Sequence, residues 1–359
     1  MRGGLLTNEN DQVVHTIHSS RGVPRNKALD LFRTLSMLFV VVQHSIVHGL
    51  NLSQLKSGSI EGTSFSLFIL NGLVVIGVNG FFLLSGFFGI KEIKSRKILK
   101  LWGECILYSV IWCVINAIIH PEEVTISYLV KSAYNSFFPQ GYWFFLAYMC
   151  MLLLCPYIER GISQYELRSI EILGVILFAI NSLLGFGFKL IGIGNGYTLF
   201  HGLYMYILGS LCRREISKLK RLNRYIWIFL YLIFTFLTGF LSFQLNQRGD
   251  GSGSWNVFAY NNPLVVTSSI SLFIFFATMQ QRKAMQKFSQ ISPYLFSVYI
   301  ITDHPYARPI AFYALKALTS SEALKIVLII INALIIMALA ILIDFLLKRV
   351  LRQLISRRT

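Results

Sequence analysis

Charge is scarce in this chain, and negative charge most of all. Of 359 residues only 14% are charged, with 16 Asp and Glu against 33 Lys and Arg. A soluble domain typically carries about 25% charged residues, so a soluble fold of this length is excluded. Cysteine is sparse too. Cys105, Cys113, Cys150, Cys155 and Cys212 lie in or beside apolar stretches, and no two form a CxxC pair. They read as helix-packing residues, not as disulfides or metal ligands. HExxH, Walker A and GxGxxG are all absent, which removes the case for metal-dependent or nucleotide hydrolysis, and no metal is expected. The first 24 residues lack the apolar core of a cleavable signal peptide and read as a mobile cytoplasmic tail. There is no internal repeat.

Apolar residues fill the space that charge leaves. The chain is 55% hydrophobic with a mean hydropathy of +0.60, the profile of an all-α, polytopic integral membrane bundle. Ten spans are expected, at roughly 29–50, 65–90, 98–119, 142–158, 170–189, 197–212, 225–245, 262–280, 290–303 and 325–347. The ninth is short and broken by polar residues. A net charge of +17 would suggest nucleic acid in a soluble protein. Here the basic residues cluster between apolar runs, so membrane orientation explains them, and membrane lipids rather than nucleic acid are the expected partners. Segments 1–33, 91–100, 159–171, 213–224, 281–290 and 348–359 hold 26 of the 33 basic residues, against 7 in the alternate loops. That asymmetry predicts an even number of spans with both termini cytoplasmic. The expected organisation is a tail (1–24), a membrane domain (25–347) and a basic cytoplasmic tail (348–359).

The first span, KALDLFRTLSMLFVVVQHSIVHGLN (27–51), carries Asp30, Arg33, His44 and His48. On a helix these four fall on one stripe, with Arg33 and His44 about 16 Å apart along the axis. Ionisable groups inside a span face protein or a wet cavity, and are candidates for function by default. Imidazole is the side chain suited to take a proton from a hydroxyl near neutral pH. His44 is therefore the leading candidate base; the competing reading is a packing histidine bonded to a neighbouring helix. His48, one turn on, also suits a purely interfacial place.

The loop KEIKSRKILKLWGE (91–104) places Arg96, Lys97 and Lys100 at a helix start. That arrangement suits phosphate, and equally suits positive-inside anchoring. Glu104 can pair with Lys100, four residues earlier. In VNGFFLLSGFFG (78–89), Gly80, Gly86 and Gly89 permit close helix approach, while Asn79 can bond across helices or to substrate. Ser85 is a poor candidate nucleophile, since no His-plus-acid pattern accompanies it. Asp303 and His304 are adjacent in TDHPYARP (302–309), so on a helix they point apart and serve different partners. The loops 120–143 and 246–262 are aromatic, the second glycine-rich and polar. Aromatics with Asn and Asp in a flexible loop suit stacking on sugar rings, and equally an interfacial aromatic belt.

Five stretches in order resemble the acyltransferase 3 family of integral membrane O-acyltransferases. They are LDLFRTLSMLFVVVQHS, with Arg followed eleven residues later by His; GVNGFFLLSGFFG; RKILKLW; GYWFFLAYM; and FSVYIITDHP. Two positions depart from the family pattern: Lys100 stands where Arg is usual, and Thr302 where many members have His. The resemblance spans about residues 25–347 and implies the stand-alone form, without a hydrolase-like extra domain. It implies transfer of an acyl group, expected to be acetyl, from cytoplasmic acyl-CoA to a hydroxyl of a cell-surface or lipid-linked glycan, in a bacterial cytoplasmic membrane. Within that scheme His44 and Arg33 are the expected catalytic residues. Arg33, Arg96, Lys97 and Lys100 are expected to hold acyl-CoA, and Asn79, Trp143, Asp303 and His304 the acceptor. The alternative is a polytopic transporter or glycan flippase using the same stripe for proton coupling. Such proteins often show inverted repeats and paired broken helices, and none is found here.

Overall fold

The computed structural model describes residues 26–137, 141–189, 193–316 and 321–356. The expected tail at 1–24 lies outside them, as do the last three residues of the basic C-terminal segment. Among the described residues every regular element is helical. Helix α1 (Lys27–His44) begins at Asn26, whose side chain accepts hydrogen bonds from the N–H groups of Ala28 and Leu29, satisfying two of the donors that a helix start leaves open. It ends in a π turn, Ser45–Gly49. The run expected as one span at 65–90 is two helices, α2 (Phe65–Val74) and α3 (Gly77–Phe88), with a break at residues 75–76. Then come α4 (Ser95–Ile119), α5 (Ile126–Phe137), α6 (Trp143–Gln164), α7 (Leu167–Phe178, continuing as a π helix to Gly187), α8 (Leu199–Arg214) and the short α9 (Ile216–Leu219). The chain continues through α10 (Arg224–Gln247), α11 (Gly251–Val257), α12 (Pro263–Ala277), α13 (Gln286–Ile291), α14 (Leu295–Asp303), α15 (Ala307–Ala311), α16 (Tyr313–Lys316) and α17 (Glu322–Ser356).

Among the described residues, seven helical segments are long and apolar enough to cross a membrane: 27–49, 65–88, 95–119, 143–164, 167–187, 224–247 and 323–351. The other three expected spans are occupied by shorter helices, α8, α12 and α14, of 16, 15 and 9 residues. Hydrocarbon demands about 20 apolar residues of a helix that faces it. These three are instead largely buried in the bundle, and irregular backbone at membrane depth is tolerated where protein surrounds it. The break after α14 follows the same rule: the chain continues irregularly through α15 and α16.

The layering explains which side chains are polar. Helices α1, α3, α12 and α14 form the inside, with α1 packed on α3, α12, α13, α14 and α17. Helices α4, α7, α10 and α17 turn large apolar side chains outward, among them Leu99, Val175, Phe229 and Leu339. Close approach depends on glycine where α3 meets α8. A Cβ on Gly86 would overlap the backbone of Tyr206, and one on Gly209 would overlap the backbone of Leu83. The two helices therefore touch main chain to main chain, the geometry that small residues allow inside membranes.

Lys27 bonds to Gln281 and Gln286, and Lys91, Arg160 and Arg213 line one cavity with Asn26 and Gln281, so these basic loops gather at one end of the bundle, here the basic end. Asn246 bonds to Ile60, Trp143 packs on Tyr197 and Tyr260, and Tyr260 reaches Gln43 near the other end of α1, so the aromatic loops gather at the opposite, far end. Two far-end loops are more ordered than their composition suggests. Asp250 caps α11 by accepting from the Gly253 N–H at 2.7 Å, and Phe258 and Tyr260 behind it are buried. Helix α5 lies against α4 through the Tyr128 hydroxyl, which donates to the Cys113 carbonyl at 2.9 Å, and leaves Ile126, Leu129 and Val130 exposed. The boundary drawn at residue 347 falls inside α17. There Lys348 pairs with Asp344 at 2.6 Å and with Glu104 at 3.1 Å, and Asp344 also accepts from the Tyr108 hydroxyl at 2.7 Å. Glu104 is thus closer to Lys348 than to its sequence neighbour Lys100, at 4.0 Å.

Candidate active site

Two sets of polar residues sit on the α1 stripe, at its two ends. At the basic end Arg33 donates to Asp30 Oδ1 at 2.9 Å and to Ser292 Oγ at 2.8 Å, and Ser289 donates to Asp30 Oδ2 at 2.7 Å. The guanidinium is tied on one side and lies over the Phe88 ring at 5.7 Å on another. It lines a cavity of ≈ 340 Å³ together with Lys97, Met37, Phe88, Tyr148 and Tyr299. Lys97 stands over the Tyr148 ring at 5.7 Å. Of the four basic residues expected to act together, the structure brings Arg33 and Lys97 to this cavity. Arg96 and Lys100 are exposed and do not line it.

The cavity climbs the α1 stripe from Arg33 to Met37 and meets α14 at Tyr299, one turn below Asp303. Beyond it is the second set. His44 Nε2 lies 3.7 Å from Asp303 Oδ1, and the His44 side chain is 15% exposed. Its Nδ1 is buried, with no hydrogen-bond partner among the described residues. Asp303 also accepts from Arg308 at 2.6 Å. His48 packs beside His44 at 5.7 Å between ring centroids and stacks on Phe312. An imidazole with one nitrogen facing a carboxylate and the other unpartnered can accept a proton at the unpartnered nitrogen and be steadied as a cation by the carboxylate.

His304 turns away from this pair, as adjacent residues must. Its ring stacks on Trp112 at 6.4 Å, and its Nδ1 accepts from the Tyr306 N–H at 3.2 Å. Trp143 sits in a far-end aromatic cluster, 4.8 Å from the Tyr197 ring and 5.5 Å from that of Tyr260. The Tyr260 hydroxyl reaches Gln43, the neighbour of His44, at 3.5 Å.

Residues 26–349 match the acyltransferase 3 family, described as an acyltransferase domain. The chain belongs to that family. The match takes in α1 to α17 almost whole, including the stripe, the cavity and the His44–Asp303 pair, so the protein is a membrane acyltransferase. No curated protein and no solved structure gives a significant match. Among the described residues of this acyltransferase no group of three or more His, Cys, Asp or Glu is placed to hold a metal ion.

Asn79 has its amide engaged within the protein. Its Nδ2 donates to the Tyr260 carbonyl at 3.1 Å and to Ser269 Oγ at 3.2 Å, and its Oδ1 faces His201 Nε2 at 2.8 Å. Of the two readings open for Asn79, bonding across helices is the one this geometry carries. His201 is fully buried, with its other nitrogen 3.0 Å from Asn181. Neither His201 nor Arg308 is among the candidate residues named from the sequence. The rule that singled out His44, an ionisable residue inside an apolar run, applies equally to His201 in LFHGLYMY. Arg308 carried no such signal, because it sits in a polar loop beside a proline.

Proposed function

We propose that this membrane acyltransferase moves an acyl group, acetyl first among them, from acyl-CoA at the basic end to a hydroxyl of a cell-surface or lipid-linked glycan at the far end. In this reading the membrane is a bacterial cytoplasmic membrane with the basic end facing the cytoplasm. The observation that supports it best is the α1 stripe, which carries Arg33 in a cation-lined cavity and, further along, a His44 imidazole whose buried Nδ1 has no hydrogen-bond partner among the described residues. A pantetheine arm extends roughly 15–20 Å, comparable to the ~16 Å rise from Arg33 to His44 at ~1.5 Å per residue.

The chemistry follows from those places. The glycan hydroxyl gives its proton to the unpartnered Nδ1 of His44 as its oxygen attacks the thioester carbonyl. Asp303 faces the opposite nitrogen and favours the imidazolium that forms. Collapse of the tetrahedral intermediate expels the CoA thiolate, which takes the proton back from His44, leaving the ester and free CoA. Trp143 and Tyr260 offer ring faces to a sugar. Arg33 and Lys97 hold the donor in the cavity, while Arg96 and Lys100 add positive potential at its mouth.

The test is acyl transfer from radiolabelled acetyl-CoA by purified protein, with and without His44. His44→Ala is expected to keep membrane insertion and CoA binding, and to lose transfer by at least about a hundredfold. His48→Ala should lose far less. Near-normal transfer by His44→Ala would remove the mechanism. Glycan movement with no acyl transfer by wild-type protein would favour a flippase instead.

A further inference from the structure

The cavity that holds Arg33 is too poor in charge to take the whole of a CoA. Its cations are Arg33, already bonded to Asp30, and Lys97. The nucleotide end of CoA carries roughly four negative charges at neutral pH: about two on the 3′-phosphomonoester and one on each phosphate of the diphosphate. A group with that much charge goes where several cations converge.

One such place adjoins the cavity. A second, wider cavity of ≈ 840 Å³ opens at the same end, between the C-terminal turns of α6 and α8 and the loop after α3. Lys91, Arg160, Arg213 and Arg214 line it, with Glu159 the one acidic residue among its lining side chains. Glu159 is engaged by Arg213 and by the Tyr206 hydroxyl, which donates at 2.8 Å. Arg214 is anchored on the Ile162 carbonyl at 2.9 Å. Lys91 and Arg160 are exposed, and neither side chain has a hydrogen-bond or ion-pair partner among the described residues.

The two cavities share Phe88. They are also separated by very little at Gly89, where a Cβ would collide with the Arg213 guanidinium. Gly89 has φ +72°, a conformation that glycine adopts without strain. The following Ile90 N–H donates to Tyr206 at 2.9 Å. Gly89 and Ile90 thus form a thin, pinned wall, with the Arg33 cavity on one side and the Arg213 guanidinium on the other.

We infer that this second cavity is the seat of the 3′-phospho-ADP end of the donor, with the pantetheine arm passing Phe88 into the Arg33 cavity. The inference rests on the acyl-CoA reading above. Lipid phosphate offers similar chemistry, since basic pockets between helices at a cytoplasmic surface also take lipid headgroups. Continuity with the Arg33 cavity and the fit of charge favour the nucleotide.

The test uses full-length protein in nanodiscs of zwitterionic lipid, titrated calorimetrically with CoA, dephospho-CoA and S-acetylpantetheine. The variant is the double substitution Lys91→Gln and Arg160→Gln, at two exposed positions. Its control is Lys220→Gln with Arg221→Gln, which removes the same charge from exposed positions that line neither cavity. Expected is a loss of CoA affinity of about tenfold or more in the variant, a smaller loss for dephospho-CoA, no change for S-acetylpantetheine, and less than twofold for the control. Equal loss in variant and control would reduce the effect to general surface potential and overturn the site. Unchanged CoA affinity, with less anionic lipid co-purifying with the variant, would assign the cavity to lipid. CoA binding by wild type without any effect of the variant would sink the site and leave the acyl-CoA reading standing. No CoA binding by wild type would sink both.

Discussion

Among the described residues the His44 imidazole is placed by packing and not by a side-chain hydrogen bond. Its nearest charged neighbour, Asp303, lies 3.7 Å from Nε2, beyond hydrogen-bond range, and Asp303 is itself tied to Arg308. In the proposed reading Asp303 positions the imidazole and favours its charged form, so removing the carboxylate charge at constant shape should slow chemistry and spare donor binding. Asp303→Asn is expected to lower kcat about ten- to a hundredfold, with CoA affinity within twofold, as read by steady-state kinetics beside calorimetry. An equal fall in both quantities would point to lost structure instead. At the other end of the stripe, Arg33→Ala should weaken CoA binding by about tenfold or more, since a hydrogen bond from a charged donor to the pantetheine arm in its cavity is worth roughly 1.5–3 kcal/mol. Lys97→Ala should follow it, and Arg96→Ala and Lys100→Ala should do least, because neither side chain lines the cavity. The Arg33–His44 stripe was legible because both residues lie on one helix, where spacing alone fixes the face. The Asp303 partnership was not, because 259 residues separate the two and only tertiary packing brings them together.

At the scale of elements, contact between helices α3 and α8 rests on the absence of side chains. Gly86 and Gly209 each face the other helix's main chain, so a methyl group must push the helices apart. Gly86→Ala is expected to cost about 1–3 kcal/mol by overpacking and to lower the thermal midpoint of the detergent-solubilised protein by several degrees. Gly103→Ala, in α4, has nothing within 4 Å of the added Cβ and should be neutral or slightly stabilising through helix propensity. Equal midpoints for the two variants would remove the close-approach argument. The sequence supports reading Gly86 as a contact glycine, because small residues in apolar runs have that use. It does not supply the partner helix, nor the break at residues 75–76 that divides the second span. It also misjudges the glycine-rich loop at 246–262: Asp250 caps a partly buried helix there, and glycine content alone reads as flexibility.

At the scale of the whole molecule, apolar length and the distribution of basic residues together suggest ten crossings, yet seven segments are long enough to cross alone. The difference comes from α8, α12 and α14, which are surrounded by protein and so need not match the thickness of the lipid. Hydropathy identifies such helices as apolar but cannot show that they are sheltered. Their directions still matter, because removing one crossing would invert every loop after it. Contacts between loops put 213–224 and 281–290 at the basic end with 91–100, and 246–261 at the far end beside Ile60 and Gln43. If basic loops mark the cytoplasmic face, reporter fusions at 213–224 and 281–290 should read cytoplasmic, and a fusion at 246–261 should read external. The 246–261 fusion decides most, since it lies between α10, long enough to span, and α12, which at 15 residues is not. A cytoplasmic signal there would mean that α10 fails to cross as expected. It would also place Tyr260 and the Trp143 cluster on the same face as Arg33, leaving donor and acceptor to enter the acyltransferase from one side.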